Sequence, residues 1–219
     1  MKRNTFVSVS TDPIQSYQEI VEYAKSLQGD ADFLHCDVMD GKFVSKTTYD
    51  YNLIKTINAN CLLPLDVHLM VEEPKADIKK YIDAGANIIT VHYEAFEDKK
   101  DLVSALEMIK KHNCLAGISL KPETSFKEIK PYCYDVDVLL IMSVTPGASG
   151  QKFGNYALSK IKEIDTFRKE NQLNFKIEID GGVNLENAKL LTGMGVDILV
   201  SGSCVYKAAN HAEVISALR

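Results

Sequence analysis

The sequence lacks any run of apolar residues approaching the ~20 that a membrane-spanning helix needs, so a membrane partner is not expected. It also lacks a block of Lys and Arg. Its 25 basic residues are set against 30 acidic ones, a formal net charge of −5, which argues against a nucleic-acid partner. No CxxC pair occurs. The cysteines (Cys36, Cys61, Cys114, Cys133 and Cys204) are odd in number and widely scattered, so reduced thiols in a cytoplasmic protein are expected rather than a disulfide framework. The opening MKRNTFVSVSTDP is basic but has no apolar stretch of secretory-signal length. There is no linker, low-complexity tract or shift in composition, so residues 1–219 are expected to form one domain.

What the sequence does contain is alternation. Hydrophobic residues make up 46% and charged residues 25%, which suffices for a sizeable core. Short runs rich in Val, Ile and Leu recur at 5–10, 33–38, 63–69, 87–92, 114–120, 137–143, 175–180 and 197–202. Near-continuous apolarity of this kind predicts strands buried on both faces, as in a parallel sheet. Amphipathic stretches lie between them. The stretch from Asp12 offers that residue as an N-cap with Pro13 at the first helical position. Another begins near Pro74 and ends at Gly85, and a third starts on Asn184 and stops at Gly193 and Gly195. Residues 153–171 predict a longer helix and 124–131 one or two turns. Eight strand–helix units in a chain of this length predict a (β/α)8 barrel, with a doubly wound open sheet as the alternative.

A barrel places its functional residues where strands end and βα loops begin. The polar residues fall there: Ser8 and Ser10, His35 and Asp37, Asp66 and His68, His92, Lys121, Ser143, Asp180, and Gly202 with Ser203. A strand turns residues i and i+2 to one face, so His35 and Asp37 should face the same way. Histidines and carboxylates on one rim suit zinc, iron, manganese or cobalt. Buried His–Asp hydrogen bonds with no metal would use the same residues. Glycine-rich turns follow three strands: TPGASGQ at 145–151, DGGVN at 180–184 and SGSCVY at 201–206. Glycine lets backbone N–H groups approach an anion, and loops after strands 7 and 8 recur as phosphate sites in barrels.

The segments HCDVMDGKFV, LPLDVHLMVEEP, AGANIITVHYEA, MSVTPGASGQKF, IEIDGGVN and VSGSCVY, in this order from about residue 33 to 206, resemble the ribulose-phosphate 3-epimerase family. The resemblance implies a phosphate-binding barrel that inverts C3 of a ketose phosphate. It implies one divalent metal ion per chain held by His35, Asp37, His68 and Asp180, with Asp37 and Asp180 also the acid/base pair. Met39, Met70 and Met142 match methionines that line the family's site. Gly147, Ala148, Ser149, Gly150, Gly181, Gly182, Gly202 and Ser203 match its phosphate loops, and Ser8 its substrate-contacting serine, with Ser10 the other candidate. Ala148 and Ser149 stand where the family usually has a Phe, FVSK replaces its FVPN, and VSVS replaces its PSIL.

The resulting expectation is a metal-dependent epimerase interconverting D-ribulose 5-phosphate and D-xylulose 5-phosphate. The same chemistry on allulose 6-phosphate is the nearest alternative. A lyase or decarboxylase on a related barrel would use a catalytic Lys, and only Lys121 follows a strand end. A non-catalytic sugar-phosphate binder would be expected to have lost a ligand. A homo-oligomer stays open. His92 reads as a structural rim histidine, and Asp66 and Glu178 either as supports for the ligands or as polar layers within the barrel. Cys36 should point away from its neighbours His35 and Asp37.

Overall fold

The computed structural model describes residues 4–148 and 150–219. Its strands are β1 Phe6–Ser10, β2 Phe33–Met39, β3 Leu65–Met70, β4 Ile88–His92, β5 Leu115–Leu120, β6 Val138–Met142, β7 Lys176–Asp180 and β8 Ile198–Ser201. Each pairs in parallel with the next, and β8 pairs with β1 to close the ring. The fold is therefore the (β/α)8 barrel, not the open sheet. A parallel ladder needs a long crossover between strands. These are supplied by α1 Tyr17–Ser26, α2 Tyr51–Asn60, α3 Pro74–Ala84, α4 Lys99–Lys111, α5 Phe126–Ile129, α6 Tyr156–Glu170 and α7 Ala188–Gly193, with α8 Ser203–Tyr206 and α9 His211–Leu218 after β8.

The two faces of the strands carry different chemistry. Outward residues such as Val7, Leu34, Cys36, Val67, Ile89, Ile118, Leu139, Ile177 and Leu199 join Ile20, Leu53, Ile78, Leu106 and Ile161 of the helices in one apolar shell. Burying each aliphatic side chain contributes about 1.5–3 kcal/mol, so this shell carries the stability. Inward lie Ser8, His35, Asp66, Thr90, Ser119 and Glu178, all with no exposed surface. Polar groups removed from water stabilise only when paired. The polar part of the barrel interior is thus not the source of the fold's stability, although Ile88, Leu140 and Val200 are buried on the same inward faces.

Helix ends show where local pattern held and where tertiary contacts overrode it. Pro74 opens α3, and Gly85 ends it in the left-handed region at φ 101°, as expected. The Asp12–Pro13 start does not hold. α1 begins after Ser16, whose side chain accepts the Glu19 N–H. Asp12 is instead ion-paired to Lys46, and its own N–H is bonded to Ser10 Oγ at 3.1 Å. Likewise Asn184 starts a turn, accepting the Glu186 N–H at 2.9 Å, and α7 begins only after Asn187. The short segment near 124–131 is α5, opened by a capping box between Ser125 and Glu128 and continued by a 3-10 turn at Lys130–Tyr132.

Candidate functional site

Strand register assembles the polar cluster. Between β2 and β3, His35 lies opposite Asp66, Asp37 opposite His68 and Met39 opposite Met70. Between β6 and β7, Met142 lies opposite Asp180. Period-two alternation then turns all of these to the inside of the barrel, at or near its C-terminal mouth. Cys36 points the other way, into the apolar shell.

Asp66 fixes His35. Its Oδ2 lies 2.6 Å from His35 Nδ1 and also accepts the Ser8 hydroxyl at 2.8 Å. With the Nδ1 hydrogen given to Asp66, His35 presents an Nε2 lone pair. That nitrogen is buried without a hydrogen-bond partner of good geometry among the described residues, and Asp37 Oδ1 lies 3.3 Å from it. His68 Nδ1 approaches the same Asp37 oxygen at 3.1 Å. Electron-rich atoms gathered this closely call for a cation among them. One donor atom each from His35, Asp37, His68 and Asp180 lie within 4.8 Å of one another. Two imidazoles and two carboxylates suit a divalent transition ion or zinc, so the residues present fit a metal.

The electrostatics follow from burial and from these contacts. Burial pushes the Asp37 carboxyl up, but the His35 and His68 rings more than offset it and hold Asp37 well below the usual carboxylate range. Burial, then the Asp37 charge, raises Asp180 to about 6. Burial lowers His35, yet the Asp66 and Asp37 carboxylates outweigh it and leave the ring well above its ordinary value, so a metal ion binding at Nε2 would have to displace the proton that the ring holds there. Glu178 lies beneath the cluster, with Oε1 3.8 Å from His35 Nδ1, and burial and the Asp66 charge push it well above the usual range. Two carboxyls held at separate levels in one cleft are a recurrent arrangement for acid/base chemistry.

Above the cluster is a cleft whose floor and walls include Asp37, Asp180, Met39, Met70 and Met142. Gly147, Ala148, Gly150, Gly181, Gly182, Gly202 and Ser203 line the same cleft, while Ser149 lies outside the described residues. No Lys or Arg is among the described lining residues, so an anion there would meet backbone N–H groups. Gly182 has φ 62°, and a Cβ on it would come within 2.3 Å of Phe153 N. The loops after β6 and β7 therefore touch backbone to backbone at a point only glycine allows. The Gln151 side chain closes the first of these loops, donating to the carbonyls of Thr145 at 2.8 Å and Ala148 at 2.9 Å.

Ser8, which the resemblance matches to the family's substrate-contacting serine, is fully buried. Its side chain is buried against Asp66 and does not line the cleft, whereas Ser10 does, with its hydroxyl 3.2 Å from Asp37 Oδ2. Both serines share one strand face, but Ser8 lies two residues deeper in the barrel. Asp12, Thr145, Gln151 and Val200 also line the cleft and were not among the site residues expected from sequence. The contribution of Asp12, Thr145 and Gln151 depends on how loops fold over the mouth, which no local pattern encodes, whereas Val200 faces inward from β8. His92 is fully buried beside the cluster rather than within it.

Comparison with known proteins agrees with this geometry. The model of the ribulose-phosphate 3 epimerase family matches residues 7–206. Ribulose-phosphate 3-epimerase of Bacillus subtilis is 40% identical over 193 residues, covering 88% of each chain. The Escherichia coli protein of that name is 34% identical over 197 residues, covering 90% of this chain and 86% of its own. Among solved structures, KGPDC from Streptococcus mutans superposes with a TM-score of 0.72 at 14% identity, covering 99% of this chain and 96% of that one. A 3-hexulose-6-phosphate synthase from Salmonella typhimurium gives 0.68 at 16% identity, covering 98% and 96%. At such identities the likeness is one of fold alone. The family match over most of the barrel and the full-length relatives establish that this chain belongs to the ribulose-phosphate 3-epimerase family and is a sugar-phosphate epimerase.

Proposed function

We propose that the protein interconverts D-ribulose 5-phosphate and D-xylulose 5-phosphate with two carboxylates, one removing the C3 proton and the other delivering a proton to the opposite face. The observation that carries this reading is that Asp37 on β2 and Asp180 on β7 reach one cleft from different strands, beside two histidines. The C3 proton is acidic because it neighbours the C2 carbonyl, and its loss leaves a planar enediolate. In this reading one aspartate takes the proton from one face and the other returns a proton to the opposite face. His35, Asp37, His68 and Asp180 would hold a divalent ion, zinc or iron by their donor set. When bound it supplies Lewis-acid polarisation of the carbonyl. The thioethers of Met39, Met70 and Met142 give the planar intermediate an apolar, adaptable cover that carries no exchangeable proton. The glycine loops after β6, β7 and β8 would seat the phosphate through backbone N–H groups, and Ser10, rather than Ser8, would meet the sugar.

The test is NMR of ribulose 5-phosphate, and separately of allulose 6-phosphate, incubated with purified protein in deuterated water, with metal content measured on the same sample. The expected result is formation of xylulose 5-phosphate carrying deuterium at C3, at about one divalent ion per chain. Faster turnover of the hexose phosphate would reassign the substrate and keep the chemistry. No exchange at C3 of either sugar with metal present would overturn the reading.

A further inference from the structure

His92 ends β4 with its ring wholly buried and meeting His68 edge to edge, centroids 4.9 Å apart and planes 29° from parallel. Its Nε2 lies 2.9 Å from His68 Nε2. Two ring nitrogens at that distance share one hydrogen, so one ring donates and the other accepts. The far side of His92 decides which. Its Nδ1 lies 3.1 Å from Glu94 Oε2. The other Glu94 oxygen, Oε1, accepts the Lys121 N–H at 2.8 Å and the Thr124 hydroxyl. A carboxylate so placed can only accept, which puts the His92 hydrogen on Nδ1 and a lone pair on its Nε2. His68 must then donate from Nε2, and its own lone pair lies on Nδ1, the nitrogen 3.1 Å from Asp37.

We propose that Glu94 and His92 are positioning residues that hold the His68 hydrogen on Nε2 and so present its Nδ1 lone pair to the metal cluster. The proposal rests on the metal-dependent reading of the site. The support is built from elsewhere in the barrel. Lys160 of α6 donates to the carbonyls of Lys121 at 3.1 Å, Pro122 at 2.9 Å and Thr124 at 2.8 Å, fixing the turn that holds Glu94. The Phe43 ring covers His92 at 4.8 Å. The two histidine ligands are thus oriented in different ways. Asp66 acts on His35 directly, and Glu94 acts on His68 through a second imidazole. Partners of this kind fix which nitrogen a ligating histidine offers.

Glu94→Gln tests the chain because its geometry forces a reversal. Lys121 N–H still requires an acceptor, so the Gln carbonyl takes that position and its amide N–H₂ faces His92 Nδ1. His92 must then accept at Nδ1 and donate from Nε2, which drives the His68 hydrogen onto Nδ1. Two measurements are needed. Long-range ¹H–¹⁵N NMR of the zinc-loaded wild type should show the His68 hydrogen on Nε2 and zinc on Nδ1. Competition titration with zinc should show affinity at least about tenfold weaker in Glu94→Gln, at unchanged thermal stability. If the wild type binds zinc and either His68 coordinates through Nε2 or the variant binds equally well, this proposal is overturned and the metal site stands. If the wild type binds no divalent ion, the metal reading fails and takes the proposal with it. If Glu94→Gln does not fold, the wild-type spectrum alone decides.

Discussion

The same eight strands build two regions with opposite tasks. Outside the barrel, side chains such as Ile89, Leu139 and Ile177 are buried among helix residues and hold the fold together. Inside, His35, Asp66, His68 and Glu178 are just as buried but polar and charged. Neighbouring residues on one strand differ in task because they differ in parity. A substitution on one parity should change stability and spare the chemistry, and on the other the reverse.

The largest effect is expected at the two aspartates. Asp37→Asn and Asp180→Asn are nearly isosteric and leave the outer shell untouched, yet an amide cannot carry the proton. Each should lower kcat by about 10³-fold or more, about 4 kcal/mol of barrier, with little change in Tm. Both residues also belong to the metal cluster, so metal content must be measured alongside. In metal-loaded variants the two should differ in which epimer still exchanges its C3 proton with deuterated water. Full epimerase activity in either loaded variant would remove the two-carboxylate mechanism.

A change on the outer face should give the mirror image. Ile89 sits mid-strand on β4, fully buried in the apolar shell. Ile89→Ala leaves a cavity and should cost about 2–5 kcal/mol in denaturant unfolding. Activity per folded molecule should stay near wild type, since Ile89 faces the outer shell and does not line the cleft. A large fall in kcat with stability intact would show that the two faces are not independent.

How legible each region was in the sequence follows the same division. The apolar runs located all eight strands, because burial on both sides of a parallel sheet writes itself as local composition. The grouping of His35, Asp37, His68 and Asp180 was legible because each sits in a specific motif on the inward face of a strand. The chain from Glu94 through His92 to His68 was not. It depends on a ring-to-ring hydrogen bond across β3 and β4 and on a turn held by Lys160, and none of this leaves a spacing signal. The false start at Asp12 has a similar cause. Asp–Pro is a sound helix opening locally, but Lys46, far along the chain, claims that carboxylate.

Ser8 and Ser10 sharpen the comparison within one face, since parity cannot separate them and only depth does. The Ser8 hydroxyl donates to Asp66 at 2.8 Å with no exposed surface. Ser8→Ala removes one of the hydrogen bonds to a buried carboxylate, which should cost about 1–2 kcal/mol of stability. Asp66 keeps its contact with His35, so KM should be unchanged. Ser10 faces the cleft and donates to Asp37 at 3.2 Å, so Ser10→Ala should raise KM several-fold with a smaller loss of stability. Unfolding curves and initial rates on the two variants read both quantities. If Ser8→Ala raises KM and Ser10→Ala does not, the sugar reaches deeper into the barrel than the cleft suggests, and the serine expected from the family resemblance would be the right one after all.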